Sequence, residues 1–274
     1  MLTAMPGNEV GANREFESLK LRYAALKERV SNQIELYTHL IEVVGPNLRS
    51  RYLVLVGQLE HRIFELKTDV IRWRRRFALR QTALNRGETP DLTAIEAELD
   101  AEFSEYVKAI KRTLQDIRDA ASHYNSPKLS DKEAAELRSA YLDAVKRLHP
   151  DINANIGDSA KELWNQIQKA YSNGDWKSVK LLASLVGSVL SGTEHFSASN
   201  GGVAELKAAC AKLETKSREL TKMSSDTKAR APFTYMSLLE DDGRLAETQA
   251  HLKEQIEMLK DQIRAYERAW KDGK

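Results

Sequence analysis

The feature that most restricts this chain is a stripe of residues stepping alternately by three and four: Phe16, Leu19, Tyr23, Leu26, Val30, Gln33, Tyr37, Leu40 and Val44. A stripe this narrow marks one line along a helix. It cannot bury itself and needs a second helix against it. The pattern returns at Tyr52, Val56, Leu59, Ile63, Leu66, Val70, Trp73 and Phe77. A less regular seam runs from Leu92 through Ile95, Leu99, Phe103, Tyr106, Ile110, Leu114 and Ile117 to Tyr124. Near the C-terminus come Val203, Leu206, Cys210, Leu213, Ser217 and Leu220, then Leu245, Gln249, Leu252, Ile256, Leu259, Ile263, Tyr266 and Trp270. An all-α fold follows, with helices of about 30 residues reaching roughly 45 Å. Gly45-Pro46, the stretch NRGETP and Ser126-Pro127 predict helix ends. The short breaks after Val44 and at Gly87 predict antiparallel hairpins.

Composition narrows the function. The 42 Lys and Arg nearly cancel the 40 Asp and Glu, so global charge does not announce a nucleic-acid binder. One region departs from that balance. From Arg49 to Arg86 ten basic residues face three acidic ones, a net +7, and IRWRRRFALR (Ile71 to Arg80) is its centre. Such a stripe binds phosphates in a salt-dependent way when it is free. Trp73 and Phe77, however, lie on the seam, and the next helix offers Asp91, Glu96, Glu98, Asp100, Glu102 and Glu105. Charge matching within the chain is therefore the expected use, and nucleic acid is not the expected partner.

A single cysteine, Cys210, excludes an intrachain disulfide framework and a thiolate zinc site. The six histidines show no metal-ligand spacing, and no Gly-rich phosphate loop, HExxH or Gly-x-Ser-x-Gly elbow is present. No metal, no cofactor and no enzymatic chemistry of its own are expected. The N-terminus lacks the basic and apolar regions of a signal peptide. The most apolar window, Val179 to Leu190, contains Lys180 and is too short to span a bilayer. A cytoplasmic protein without a transmembrane segment is the expectation.

Between the seams the texture changes. Ser130 and Glu133 have the spacing of a capping box, and Leu137, Tyr141, Ala144 and Leu148 then share one helix face. Arg138, Lys146 and Arg147 fall largely elsewhere and give a basic surface. Pro150 bars helical geometry at His149 and has no N–H, so the helix must stop and present His149 and Asp151 on a constrained loop. A carboxylate beside a basic helix face is suited to meet an arginine of another protein. Ala160, Leu163, Trp164, Ile167, Ala170 and Tyr171 form the apolar face of the next helix, with the aromatic residues in the core. Asn173-Gly174 ends it, and Asp175 can cap another.

From Ser130 to Tyr171 this arrangement resembles the J domain of DnaJ-type co-chaperones. The carriers are Ala140-Tyr141, VKRLHPD (Val145 to Asp151), the loop that follows and LWNQIQKAY (Leu163 to Tyr171). The resemblance implies that His149, Pro150 and Asp151 trigger ATP hydrolysis by a DnaK-type heat-shock ATPase, with Arg138, Lys146 and Arg147 as docking charges. It further implies bacterial relatives in which a J-like module sits among long helices. Leu142 and Asp143 stand where many members are basic.

The expected plan is a disordered stretch at 1–13, a coiled-coil stalk of long antiparallel helices at 14–126 and a J-like module at 128–191. A linker at 192–202 and helices at 203–274 packing on the stalk complete it. The expected partners are the DnaK-type ATPase and a client protein on the helical arms, and the seams close either within one chain or between two copies as a homodimer. The alternative is a helical scaffold or adaptor whose J-like module no longer stimulates an ATPase.

Overall fold

The computed structural model describes residues 7–153, 156–189 and 199–272. The α-helices are α1 (Gly7–His39), α2 (Gly45–Tyr52), α3 (Gln58–Asn85), α4 (Leu92–Glu102), α5 (Ser104–Asn125) and α6 (Asp131–Leu148). They continue with α7 (Asp158–Ser172), α8 (Trp176–Ser184), α9 (Val186–Val189), α10 (Asn200–Lys228), α11 (Met236–Leu239) and α12 (Asp242–Lys271). The fold is all-α, with no strand among the described residues. Of the N-terminal stretch expected to be disordered, residues 1–6 lie outside the described residues and Gly7 already begins α1. Of the expected linker, 192–198 lie outside them. Ser199 accepts from the Gly202 N–H at 3.2 Å and caps α10, so Asn200 to Gly202 are helical.

Gly45-Pro46 does not end helical structure as expected. Leu40–Val44 form a π turn in which the Gly45 N–H reaches back to the Leu40 carbonyl. The ladder is thus already widened where Pro46 lacks a donor, and α2 follows directly. A second π turn, Leu53–Gly57, precedes α3. The third seam is split instead at Phe103, which joins α4 to α5 without any Gly or Pro.

Contacts divide the chain into two compact units, each built from two separated stretches: Met1–Gly45 with Pro127–Arg230, and Pro46–Ser126 with Ala231–Lys274. The plan expected from sequence runs along the chain and assigns 14–126 to one stalk. In the structure the first seam belongs with Pro127–Arg230, and the second and third seams with α12.

In the first unit α1 pairs with α10. Arg22 bonds Glu214, 192 residues on, and Glu15 meets Lys207 at the same offset. A constant offset means that the helices run parallel. Seam spacing specifies a contact face but neither its partner nor its direction. The polar seam members set the register. Gln33 Nε2 donates to the Ser217 backbone carbonyl at 3.3 Å and to Thr221 Oγ1 at 3.0 Å.

The second unit repeats this logic. Arg74 Nε donates to Tyr266 Oη, again 192 residues on, so α3 and α12 are also parallel. Ile63 and Leu66 pack with Ile256, and Gln249 donates to the Leu55 carbonyl in the second π turn at 2.7 Å. Helix α4 returns antiparallel along α3 after Gly87 (φ 74°), the expected hairpin. Across it Arg72 pairs with Glu96 and Asp100, Arg75 with Glu98 and Glu102, and Arg76 with Glu96. The basic stripe is thus matched by its own neighbour. The seams of α1 and α10, and those of α3 and α12, pack on one another within the chain.

The core of the first unit joins Leu137, Tyr141, Ala144, Val145 and Leu148 of α6 to Trp164, Ile167 and Tyr171 of α7 and Val179 of α8. Tyr141 stacks on Tyr171 with ring centroids 4.0 Å apart. Val30 and Ile34 of α1 and Leu213 and Leu220 of α10 are buried in the same cluster. Each fully buried aliphatic side chain contributes about 1.5–3 kcal/mol, so the two flanking helices are part of this core.

Candidate functional site

The site is the end of α6. The Ser130–Glu133 capping box starts the helix, with the Glu133 backbone N–H donating to Ser130 Oγ at 3.3 Å and the Ser130 N–H to the Glu133 carboxylate at 2.9 Å. Pro150 ends it. His149 has left helical geometry (φ −66°, ψ 128°), although its N–H still reaches the Val145 carbonyl. The Asp151 N–H donates to His149 Nδ1 at 3.1 Å, which makes Nδ1 an acceptor. Asn153 then donates its side-chain N–H to the Lys146 carbonyl at 3.1 Å and satisfies an open helix end.

The imidazole of His149 meets Trp164 edge-on, with centroids 5.1 Å apart. Its burial and then the Lys216 ammonium push its pKa down, against the opposing pull of Asp151. The neutral ring is therefore a structural part of the loop. Asp151 presents its carboxylate outward, and Lys216 Nζ of α10 takes it at 2.6 Å.

Helix α1 runs antiparallel along the basic face of α6 and meets it with carboxylates two turns apart. Glu35, buried, receives two bonds from the Arg138 guanidinium at 2.8 and 3.1 Å. Glu28 receives Lys146 at 2.9 Å, and that ammonium holds the Glu28 carboxyl below its usual range. One turn beyond Glu35, His39 Nδ1 lies 3.2 Å from the Tyr171 hydroxyl. Burial, then the Arg138 charge, depress the His39 pKa. Arg147 takes a different position. It is exposed, beside Asp143 and Lys180 on a groove between α6 and α8.

Of the six residues singled out from sequence, Arg138, Lys146 and Asp151 are paired with α1 or α10, and His149 is packed on Trp164. Pro150 and Arg147 are exposed. Sequence reasoning missed Glu28, Glu35, Asn153 and Lys216. Glu28 and Glu35 lie a heptad apart beside the first seam, a signal that could have marked them as facing a basic helix.

The two depressed imidazoles make stability depend on pH. A histidine whose folded pKa lies below its unfolded value binds more protons when unfolded, so stability is complete above the ordinary value of 6.5. The midpoint of urea unfolding is expected to fall as pH drops from about 7 to about 5. His39→Gln and His149→Gln, compared with the intact chain at each pH, should each flatten the decline. A midpoint that is level across this window would show that neither ring is sequestered.

No helix among the described residues is long and apolar enough to cross a membrane. Comparison of the chain with protein-family models, with curated proteins and with solved structures finds no match, so the reading of this site rests on its own geometry.

Proposed function

We propose that the chain is a co-chaperone that acts through its J-like module on a DnaK-type heat-shock ATPase, with the helical arms binding a client. The observation that supports this reading is the loop after α6. A helix ended by Pro150, a neutral His149 turned back on the Asp151 N–H and an outward Asp151 carboxylate already paired with a cation make a preorganised acceptor. A guanidinium from another protein would bind the same carboxylate bidentately, and more tightly than an ammonium does.

The scaffold reading is favoured by a different observation. Helix α1 occupies the basic face of α6 and buries Val30 and Ile34 in the module core, so Arg138 and Lys146 are not free docking charges. On that reading the module is a fold for holding helices together, and the ATPase does not respond.

Single-turnover ATP hydrolysis by a DnaK-type chaperone separates the two. The intact protein is expected to accelerate hydrolysis, and His149→Gln and Asp151→Asn, each with unchanged helicity, to abolish the effect. Failure of the intact protein against an ATPase that responds to another co-chaperone would sink the co-chaperone reading and leave the scaffold.

A further inference from the structure

We infer that Lys216 of α10 is a side-chain latch on the His-Pro-Asp loop, which a cationic partner must displace to reach Asp151. The inference rests on the reading of Asp151 as the partner-facing carboxylate. It concerns what regulates that carboxylate.

The placement of Lys216 is fixed by the α10 seam. Leu213 and Leu220 flank it along the helix and are both buried in the module core, so the backbone of α10 is held over the loop. The ammonium itself is not buried. The side chains of Lys216 and Asp151 are 28% and 40% exposed, so their contact is an ion pair in partial reach of water. A lysine on a flexible stem can leave such a contact without unpacking its helix.

Lys216 also has somewhere to go. Glu219, one turn further along α10, lies 4.0 Å from the same ammonium, so two carboxylates compete for one cation. Between the loop and α10 lies an open cleft of about 450 Å³, lined by Asp151, Ala211, Lys212, Thr215, Lys216 and Glu219. The cleft gives an incoming side chain a path to the carboxylate that does not require α10 to move. The contrast with α1 is physical. Arg138 and Glu35 form a two-bond pair on a buried carboxylate backed by Val30 and Ile34, whereas Lys216 and Asp151 form a single contact. The α1 clamp is structural and the Lys216 contact is exchangeable. An ion pair of this exposure shifts an equilibrium by up to about fivefold.

The test uses the full chain in two measurements. Amide hydrogen exchange reads the loop directly, because the Asp151, Ile152 and Asn153 N–H groups all bond to His149. Lys216→Ala and Lys216→Glu are expected to speed exchange at these amides by up to about fivefold while core amides such as that of Ile167 are unchanged. Lys222→Ala, which removes an exposed cation of the same helix, should change nothing. Unaltered loop exchange in Lys216→Glu overturns the latch, whatever the ATPase does.

The second measurement is stimulation of a DnaK-type ATPase. Lys216→Glu should stimulate more than the intact chain, and adding Asp151→Asn should abolish the gain. Stimulation by the intact protein that Lys216→Glu leaves unaltered overturns gating but preserves the co-chaperone reading. Accelerated loop exchange with no stimulation by any form supports the latch and overturns that reading.

Discussion

A fragment of residues 127–189 is expected to lose most of its helical signal in far-UV circular dichroism, although it contains all of α6, α7, α8 and α9. The reason lies in what the fragment omits. Val30 and Ile34 of α1 and Leu213 and Leu220 of α10 are buried in one cluster with Tyr141, Ile167 and Tyr171. A chain of about 60 residues buries only about 60% of its surface even when complete, so four missing core side chains are a large fraction of its stability. At about 1.5–3 kcal/mol each, their loss approaches the whole stability of a small domain. The loss also uncovers Arg138 and Lys146, whose carboxylate partners sit on α1. The same dependence can be read in the intact chain: Ile34→Asp puts a charge into this cluster and should cost about 4 kcal/mol or more. A cooperative thermal transition of the isolated fragment near that of the whole chain would show that α1 and α10 merely rest on an autonomous module.

This dependence bears on what the sequence disclosed. Elements set by local chemistry were legible. The capping box at Ser130, the stop at Pro150, the cap at Asp175 and the turn at Gly87 each need only a few adjacent residues, and each appears where those residues stand. The pairing of the Arg72 to Arg76 stripe with α4 was legible for a related reason, since a short hairpin leaves only one neighbour. The parallel pairing of α1 with α10 and of α3 with α12 was not. An apolar stripe fits any other stripe in either direction, and partners 192 residues apart are not ranked by spacing. The information sat in the polar interruptions Gln33 and Gln249, which read as blemishes in the seams but act as register marks. Pro46 misled for the opposite reason. Its rule assumes a regular ladder, and the π turn before it had already changed the ladder.

The candidate site was half legible for the same cause. His149, Pro150 and Asp151 stand out because their chemistry is local. Lys216, which engages Asp151, and the Glu28 and Glu35 carboxylates, which engage Lys146 and Arg138, arrive only through the tertiary pairing. A surface that reads as free in the sequence of one helix is thereby closed by two others.

The strength of that closure is measurable, and the Arg138–Glu35 pair should respond unequally to loss of either partner. The Glu35 side chain is 6% exposed, while that of Arg138 is 40% exposed. Arg138→Ala leaves a carboxylate in the core edge with neither of its two guanidinium bonds, and a buried ion deprived of its partner costs about 3 kcal/mol or more. Glu35→Ala leaves a guanidinium that can turn into water, so the cost is the lost hydrogen bonds and packing, about 1–2 kcal/mol. Adding Glu35→Gln to Arg138→Ala removes the stranded charge and should recover about 1–2 kcal/mol of the deficit. Urea unfolding of the four proteins with a common slope checks all three values. Equal costs for the two alanine variants would place Glu35 in water and make α1 a loose cover over α6. The expected asymmetry would instead make α1 a fixed part of this core that covers the basic face of α6, while Arg147 stays exposed.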